Sequence, residues 1–278
     1  LGPNGAGKTT TIRHLMGFSK PHEGELSING KDCWKAAAII KYDVGYLPGE
    51  LAFPKNMTGD QFIKFMAEER QITDMTHTEE LKNIFELDTS EDIKEMSLGT
   101  KRKLAVVTAF MHNPSVLILD EPTSGLDPVM QERFIQFILN EKANGKTILL
   151  SSHIFSEVDA TCDRIAIIKD GVVVSTIEAN QLKQSTNKAF KIEFSSFQDY
   201  QTFLEDTKFT IPIKRPDQNQ VKLNLTDEKM QQLFIELSGV KVNFISEIKF
   251  TLEDYFMDFY DRKKTVAAGE ENLQHGLH

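Results

Sequence analysis

The sequence predicts an α/β protein in which helices cover a parallel sheet, followed by a small α+β unit. A glycine-rich stretch at residues 2–10 leads straight into a helical pattern. Residues 116–119 are apolar on both faces, as a central parallel strand must be, and Asp120 and Glu121 follow them. Between residues 51 and 113 the apolar period changes from that of a strand to that of a helix, which predicts an inserted helical subdomain.

The glycine-rich stretch fits the phosphate-binding pattern G-x-x-x-x-G-K-S/T. Its glycines let successive N–H groups point into one concavity, and the helix that follows adds the positive end of its dipole. Lys8 supplies a positive charge for the β- and γ-phosphates of a nucleotide, and the Thr9 hydroxyl suits Mg²⁺. The predicted nucleotide-binding residues are Gly2, Pro3, Asn4, Gly5, Ala6, Gly7, Lys8, Thr9 and Thr10. The alternative is a glycine-rich turn that fits the pattern by chance.

Such a loop should follow a strand, yet the chain starts at Leu1, one residue before it. We therefore expect the sequence to be a fragment that begins inside its first motif, with the strand that carries the loop missing. A sheet that lacks its first strands should have an unpaired or exposed edge.

The bulk composition excludes several classes of protein. A formal net charge of −9 over 278 residues argues against a nucleic-acid-binding surface. Two cysteines, Cys33 and Cys162, without a C-x-x-C motif, predict neither a metal site nor a disulfide framework and favour a cytosolic compartment. No apolar run approaches the roughly 18 residues that a membrane span needs, so this chain alone is not expected to cross a bilayer.

Periodicity and turn signals place the elements of the first half. Helices are predicted over 10–18, 78–85 and 100–112, and strands over 25–29 and 44–48. Thr58 and Gln61 form a capping box for a further helix. The apolar face expected behind that box consists of Phe62, Phe65 and Met66.

The second half alternates strands with helices. Strands are predicted over 116–119, 147–150, 164–169 and 172–177, with a helix over 129–144. Asn29-Gly30 and Asp170-Gly171 are hairpin signals. A composition shift at 181–187 precedes strands over 189–194, 220–225 and 240–249 and helices over 197–204, 227–237 and 251–261. The predicted domains are 1–185, with its helical subdomain at about 51–113, then 186–262, then a polar tail at 263–278 that we expect to be disordered.

Asp120 and Glu121 are adjacent carboxylates at the carboxyl end of a strand, where open α/β sheets bind their ligands. One can hold Mg²⁺ while the other orients or deprotonates an attacking water. His153 follows the next strand and can hydrogen-bond the γ-phosphate, although a lone histidine at a strand end is more often structural. At residues 97–100, Ser97 can cap a helix while Gly99 leaves amides bare for a phosphate, and an ordinary helix start is the alternative.

In this order the motifs resemble the ATP-binding cassette (ABC) ATPase family, over residues 1 to about 182. Residues 2–10 match the Walker A loop, Asp120 and Glu121 the Walker B aspartate and the catalytic glutamate, and His153 the switch histidine. Residues 124–128 match the D-loop, with Ser124 and Asp127. The signature loop, which contacts the nucleotide of a second copy, corresponds to Ser97, Leu98, Gly99 and Thr100. The resemblance implies a P-loop NTPase fold with Mg²⁺ bound by Thr9 and Asp120.

The chain departs from the family at several positions. Gly49 occupies the position at which the family has a glutamine that senses Mg²⁺ and the attacking water. The adjacent Glu50 is a candidate replacement for that glutamine. Leu98 and Thr100 replace the usual glycine and glutamine of the signature. The aromatic residue that stacks on adenine lies upstream of Walker A in the family and is absent here.

The resemblance implies an ATP-hydrolysing subunit of an exporter that forms a head-to-tail homodimer and drives a separate transmembrane permease. The residues after 187 are similar to the C-terminal extension of bacterial antibiotic and multidrug exporters of this kind. Such a subunit is cytoplasmic and peripheral to the cytoplasmic face of the membrane. Two alternatives stay open: a non-transport ABC ATPase acting on ribosomes or DNA, and an ATP-binding regulator with weakened turnover. No nucleic-acid partner is expected.

Overall fold

The computed structural model describes residues 1–180, 187–248 and 251–257. It divides into two compact units, Leu1–Thr176 and Ile177–His278. The predicted tail at 263–278, and the end of the helix predicted over 251–261, lie outside the described residues; residues 252–257 are helical. No helix in the described part of the chain is long and apolar enough to cross a membrane.

The first unit alternates short strands and helices. Its elements up to the start of the central strand are α1 (Lys8–Leu15), β1 (Ser27–Ile28), β2 (Lys31–Asp32), α2 (Ala37–Asp43), β3 (Gly45–Leu47), α3 (Gly59–Glu69), α4 (Thr76–Ile84) and α5 (Leu98–Phe110). The rest are β4 (Val116–Asp120), α6 (Pro128–Ala143), β5 (Thr147–Ser151), α7 (Phe155–Thr161), β6 (Arg164–Lys169) and β7 (Val172–Glu178), which runs across the division.

The core of this unit is a parallel sheet of order β3-β4-β5. The register pairs Leu47 with Leu119 and Asp120 with Ser151, so the carboxyl ends of the three strands lie side by side. β4 is central and almost fully buried, as predicted. β5 pairs with β4 alone among the described strands, and its Leu149 is 44% exposed, which confirms the expected exposed edge.

The helical insertion buries a large apolar cluster against the sheet. α5 contacts α3, α4 and β3, and its residues from Leu104 to Phe110 are buried on every side. Edge-to-face contacts of Phe137 with Phe85 and Phe110 extend the cluster to α6. This packing confirms the predicted helical segment, and it explains why α5 shows no single apolar stripe.

Some predicted details are wrong. The capping box of Thr58 and Gln61 is present, and Phe62 and Met66 pack against the core as predicted, but the most buried side chains of α3 are Ile63 and Ala67. Phe65 is 41% exposed, because it lies on the face opposite the core. α1 starts and ends earlier than predicted, since Gly7 caps it and the helix stops before Gly17.

Short elements that were not predicted include α2, α7 and a strand of the second unit, Ile213–Arg215. α2 and α7 have seven residues each and no side-chain cap. Helices of this length are marginal on their own, so tertiary packing stabilises them and the local sequence carries little signal. Both predicted hairpins, at Asn29-Gly30 and Asp170-Gly171, are present as the β1–β2 and β6–β7 pairs.

The second unit is a four-stranded antiparallel sheet with two helices, the α+β arrangement that was predicted. Its elements are β8 (Asn187–Phe194), α8 (Phe197–Asp206), β9 (Ile213–Arg215), β10 (Gln220–Thr226), α9 (Met230–Leu237) and β11 (Val242–Ile248). The strand order is β11-β8-β10-β9. Alternate residues of β8 and β10 face a separate core, which includes Ile192, Leu223, Phe203 and Leu233.

Candidate nucleotide site

The glycine-rich loop wraps around the start of α1. Gly7 is the N-cap of α1 with a φ of 107°, a conformation that residues with a Cβ rarely adopt, and no side chain caps the helix. The first amides of α1 therefore have no side-chain partner and suit an anion. Lys8 Nζ donates to the carbonyl oxygens of Gly2 (2.7 Å) and Pro3 (3.2 Å), so its ammonium lies across the loop.

Asp120 ends β4 and is 1% exposed. Its Oδ2 accepts a hydrogen bond from Thr9 Oγ1 at 2.9 Å, and its Oδ1 accepts one from Ser151 Oγ. Two oxygen ligands from distant parts of the sequence thus meet at one edge of the sheet. The described residues contain no group of three or more His, Cys, Asp or Glu side chains that could hold a metal. A hydroxyl and one carboxylate still fit Mg²⁺, which takes few protein ligands and shares substrate phosphates.

Glu121 and His153 form the exposed side of the same edge. Glu121 leaves the strand with a φ of 48°, and its N–H donates to the Ser151 carbonyl at 2.9 Å. Its Oε1 lies 3.3 Å from Lys8 Nζ, and its Oε2 lies 2.6 Å from His153 Nδ1. An ionised carboxylate only accepts hydrogen bonds, so His153 Nδ1 would be the donor in this contact. The structure therefore brings Lys8, Thr9, Asp120, Glu121 and His153 together.

Behind His153 lies a buried carboxyl group that sequence reasoning missed. Glu157, on α7, is 2% exposed, and burial raises the pKa of its carboxyl group. Its Oε2 accepts a hydrogen bond from Ser152 Oγ at 2.5 Å, and that hydroxyl accepts one from the Ile154 N–H at 2.9 Å. These buried hydrogen bonds therefore stabilise the turn that carries His153. An acid four residues after His153 was a weak signal, because helix starts often carry acids.

The segment after β3 presses against Asp120. A Cβ on Gly49 would lie 3.2 Å from Asp120 Oδ2, so a side chain at this position would crowd the carboxylate. The neighbouring Glu50 is exposed, and within the described residues its side chain has no hydrogen bond or ion pair. The proposed replacement of the family glutamine by Glu50 stays a prediction.

Arg102 on α5 was also missed. It is 2% exposed, and its guanidinium donates to three main-chain carbonyl oxygens: Pro48 (2.8 Å), Gly49 (2.7 Å) and Ser124 (3.0 Å). Burial lowers the pKa of this guanidinium. The signal for Arg102 that the sequence offered was a positively charged residue in a helix that is otherwise mostly apolar.

The predicted signature residues start α5 at the surface. Ser97 caps the helix by accepting the Thr100 N–H at 3.0 Å, and Leu98 is 62% exposed. Gly99 lies next to the Gly125 carbonyl oxygen. In the described residues, no hydrogen bond or ion pair joins positions 97–100 to Lys8, Asp120 or Glu121. The D-loop residues follow Glu121: the Ser124 carbonyl binds Arg102, and Asp127 caps α6 through the Met130 N–H (2.9 Å).

Comparison with known proteins agrees with this geometry. A family model described as ABC transporter matches residues 1–124. The bacitracin transport ATP-binding protein BcrA of Bacillus licheniformis is 34% identical over 266 residues, which are 92% of this chain and 86% of that protein. The chain belongs to the ABC transporter ATP-binding family. This ABC protein is also 32% identical over 197 residues to YbhF of Escherichia coli, a probable multidrug ABC transporter ATP-binding protein, covering 67% of the chain and 33% of YbhF.

A solved structure described as the ATP-binding subunit of an ABC transporter superposes with a TM-score of 0.61 at 29% identity, over 66% of this chain and 79% of that one. The P-loop NTPase fold of ABC ATPases is therefore confirmed. Because these relatives are transporter subunits, they support the transporter interpretation over an ABC ATPase that acts on ribosomes or DNA.

Proposed function

We propose that this ABC protein hydrolyses ATP and thereby energises export through a separate permease. The observation that carries the hydrolysis is the contact of Glu121 with both Lys8 and His153, beside the Thr9–Asp120 pair. A carboxylate held between an ammonium and an imidazole, next to a phosphate-binding loop, has the surroundings of a general base in phosphoryl transfer.

Each residue has a distinct role in this proposal. Residues 2–10 bind the phosphates of ATP, with Lys8 on the β- and γ-phosphates. Thr9 and Asp120 would hold Mg²⁺, which neutralises charge that develops on the phosphates. Glu121 accepts the proton of the attacking water. His153, which donates to Glu121 through Nδ1, fixes the direction of that carboxylate and the line of attack.

Closure of two copies would complete the site. Ser97 and Leu98 are exposed at the start of α5 and have no polar contact with Lys8 of their own chain, so they are free to meet the γ-phosphate held by a second copy. Binding of ATP would then close a head-to-tail dimer, and loss of the γ-phosphate on hydrolysis would reopen it. Such a two-state element can drive a membrane partner.

The relatives support the proposed permease, class of cargo and location. BcrA is named for bacitracin transport and YbhF for multidrug transport, which favours export of antibiotic-like compounds. The protein would then sit at the cytoplasmic face of the membrane, attached through the permease. Both cysteines are free, as a reducing compartment requires.

Substitution of Glu121 by Gln tests the catalytic assignment. Gln keeps the shape of the side chain but cannot take a proton, so we expect kcat for ATP hydrolysis to fall by about 100-fold or more, while ATP binding is retained. Size-exclusion chromatography with ATP should then show an accumulated dimer.

Glu79→Gln serves as the matched control, since Glu79 is a largely exposed acid on α4. It should hydrolyse ATP like the wild type. An unchanged kcat in Glu121→Gln would exclude Glu121 as the base. A wild-type protein that binds ATP without any turnover would instead support the regulator alternative.

A further inference from the structure

Arg102 is placed to join three parts of the nucleotide site that are separate in sequence. Its guanidinium holds the carbonyl oxygens of Pro48 and Gly49, which follow β3, and of Ser124, in the turn after Glu121. β3 and β4 are neighbours in the sheet, so these two segments leave the sheet side by side. Arg102 itself belongs to α5, one and a half turns after its N-cap Ser97.

The contact with Gly49 extends to the carboxylate that would bind Mg²⁺. Gly49 lies so close to Asp120 that a Cβ would sit 3.2 Å from Oδ2. The contact with Ser124 reaches Glu121, because the Ser124 N–H donates to the Glu121 carbonyl oxygen at 3.1 Å. Through one hydrogen bond each, Arg102 therefore holds a segment that lies beside Asp120 and a turn that is hydrogen-bonded to Glu121.

A buried guanidinium with three carbonyl partners is a rigid connection. Its planar fork keeps fixed angles between its donors, unlike a lysine ammonium. Arg102 has no carboxylate within ion-pair distance in the described residues, so main-chain carbonyls alone satisfy its charge. A displacement of α5 must accordingly move these carbonyls or break charge-assisted hydrogen bonds.

We propose that Arg102 is a positioning residue that aligns Asp120 and Glu121 for hydrolysis and makes that alignment depend on the position of α5. A movement of the helix that starts at Ser97 would thereby change the geometry of Asp120 and Glu121 in the same chain. This inference rests on the proposed function, because it takes Glu121 as the base. Arg102 itself contacts neither ATP nor the attacking water.

Arg102→Met and Arg102→Lys in the full chain test this role. Met fills the space but donates nothing, so we expect kcat to fall at least about tenfold while the Kd for a fluorescent ATP analogue changes less than about twofold. Among the described residues, no hydrogen bond or ion pair joins Arg102 to the loop at residues 2–10, which is why nucleotide binding should persist. Lys offers its donors from a single atom, and its kcat should lie between those of Met and the wild type.

Arg70 provides the matched control. Its guanidinium also binds main-chain carbonyls, those of Tyr42 (2.7 Å) and Lys41 (3.4 Å), but at the end of α2 away from Asp120 and Glu121. Arg70→Met should lower the melting temperature without lowering kcat measured well below that temperature. Arg102→Met should lower both.

A kcat within twofold of the wild type in folded Arg102→Met would overturn the proposal. So would equal losses of kcat and ATP binding, since they would indicate general damage. If Arg102→Met does not fold, the kcat and Kd of Arg102→Lys decide by the same criteria. If neither variant folds, Arg102 contributes to stability alone and the proposal is rejected. An unchanged kcat in Glu121→Gln would instead reject the proposed function. Failure of the Arg102 proposal and failure of the proposed function are therefore distinguishable.

Discussion

Three buried ionisable side chains surround the part-buried Glu121 and the exposed His153. Asp120, Arg102 and Glu157 are each at most 2% exposed. Burying a charge is costly unless hydrogen bonds compensate it, and each of these groups has polar partners: hydroxyls for the two acids and carbonyls for Arg102. Hydrogen bonds therefore offset much of the cost of burying these groups, although Glu157 Oε1 has no hydrogen-bond partner among the described residues.

His112 also shows the cost of burying an ionisable group. It follows α5, and burial, with a contribution from the nearby Arg70, lowers its pKa from 6.5 to about 4. Both ring nitrogens are buried without a hydrogen-bond partner among the described residues. Consequently, between pH 6.5 and about 4 the imidazole of His112 is protonated in the unfolded state but stays neutral in the folded state.

We predict that His112 makes the protein sensitive to acid. Since its folded pKa is depressed, its contribution to stability is fully present above pH 6.5 and is lost as the pH falls towards about 4. His112→Leu should lose less stability over this window in urea titrations. His22→Leu, at an exposed histidine, should follow the wild type. Identical pH dependence in all three proteins would exclude a buried, neutral His112.

At the scale of elements, helix starts differ in what satisfies their first amides. α3, α5, α6 and α8 begin with side-chain caps from Thr58, Ser97, Asp127 and Ser196. α1, α2, α4, α7 and α9 have no side-chain cap, and of these α1 is the helix that follows the glycine-rich loop. The first amides of α1 therefore suit a phosphate, whereas a side-chain cap occupies such amides.

The capping box of α3 should therefore be purely structural. The Gln61 N–H donates to Thr58 Oγ1 at 3.2 Å, and the Thr58 N–H donates to Gln61 Oε1 at 2.9 Å. We predict that Thr58→Ala lowers the free energy of unfolding by about 1 kcal/mol, measured by urea denaturation. Thr73→Ala, in an exposed loop, is the control and should change it by less than about 0.5 kcal/mol. Equal effects would mean that the cap contributes nothing.

The whole chain consists of two units, each with its own apolar core. The main core of the first unit joins α3–α6 to the sheet, whereas that of the second joins one face of the β8–β10 pair to its helices. Domains with separate cores can in principle fold alone. Catalytic candidates lie in the first unit only.

We predict that residues 177–278 fold when expressed alone. Thermal unfolding followed by circular dichroism should be cooperative, because Ile192, Phe203, Leu223 and Leu233 form a core within this unit. Leu223→Ala should shift the transition to lower temperature, since it removes a fully buried side chain. A gradual, non-cooperative melt would show that this core requires the first unit.

Local signals predicted much of the chain. The turns at Asn29-Gly30 and Asp170-Gly171, the cap at Thr58, the buried strand β4 and the loop at residues 2–10 all depend on residues close in sequence. α2 and α7 escaped prediction because seven residues carry too little periodicity. Phe65 was misplaced because composition does not reveal which side of a helix meets the core.

By itself, the sequence determined which residues could do the chemistry: Lys8, Thr9, Asp120, Glu121 and His153 stand out by type and order. Only the tertiary structure decided how these residues are held in place. Ser151 donates a hydrogen bond to Asp120, Glu157 accepts one from Ser152 in the turn that carries His153, and Arg102 donates to three main-chain carbonyl oxygens. The physical reason is that motif residues are recognisable from their neighbours along the chain. The partners that satisfy a buried charge are chosen by packing between segments far apart in sequence.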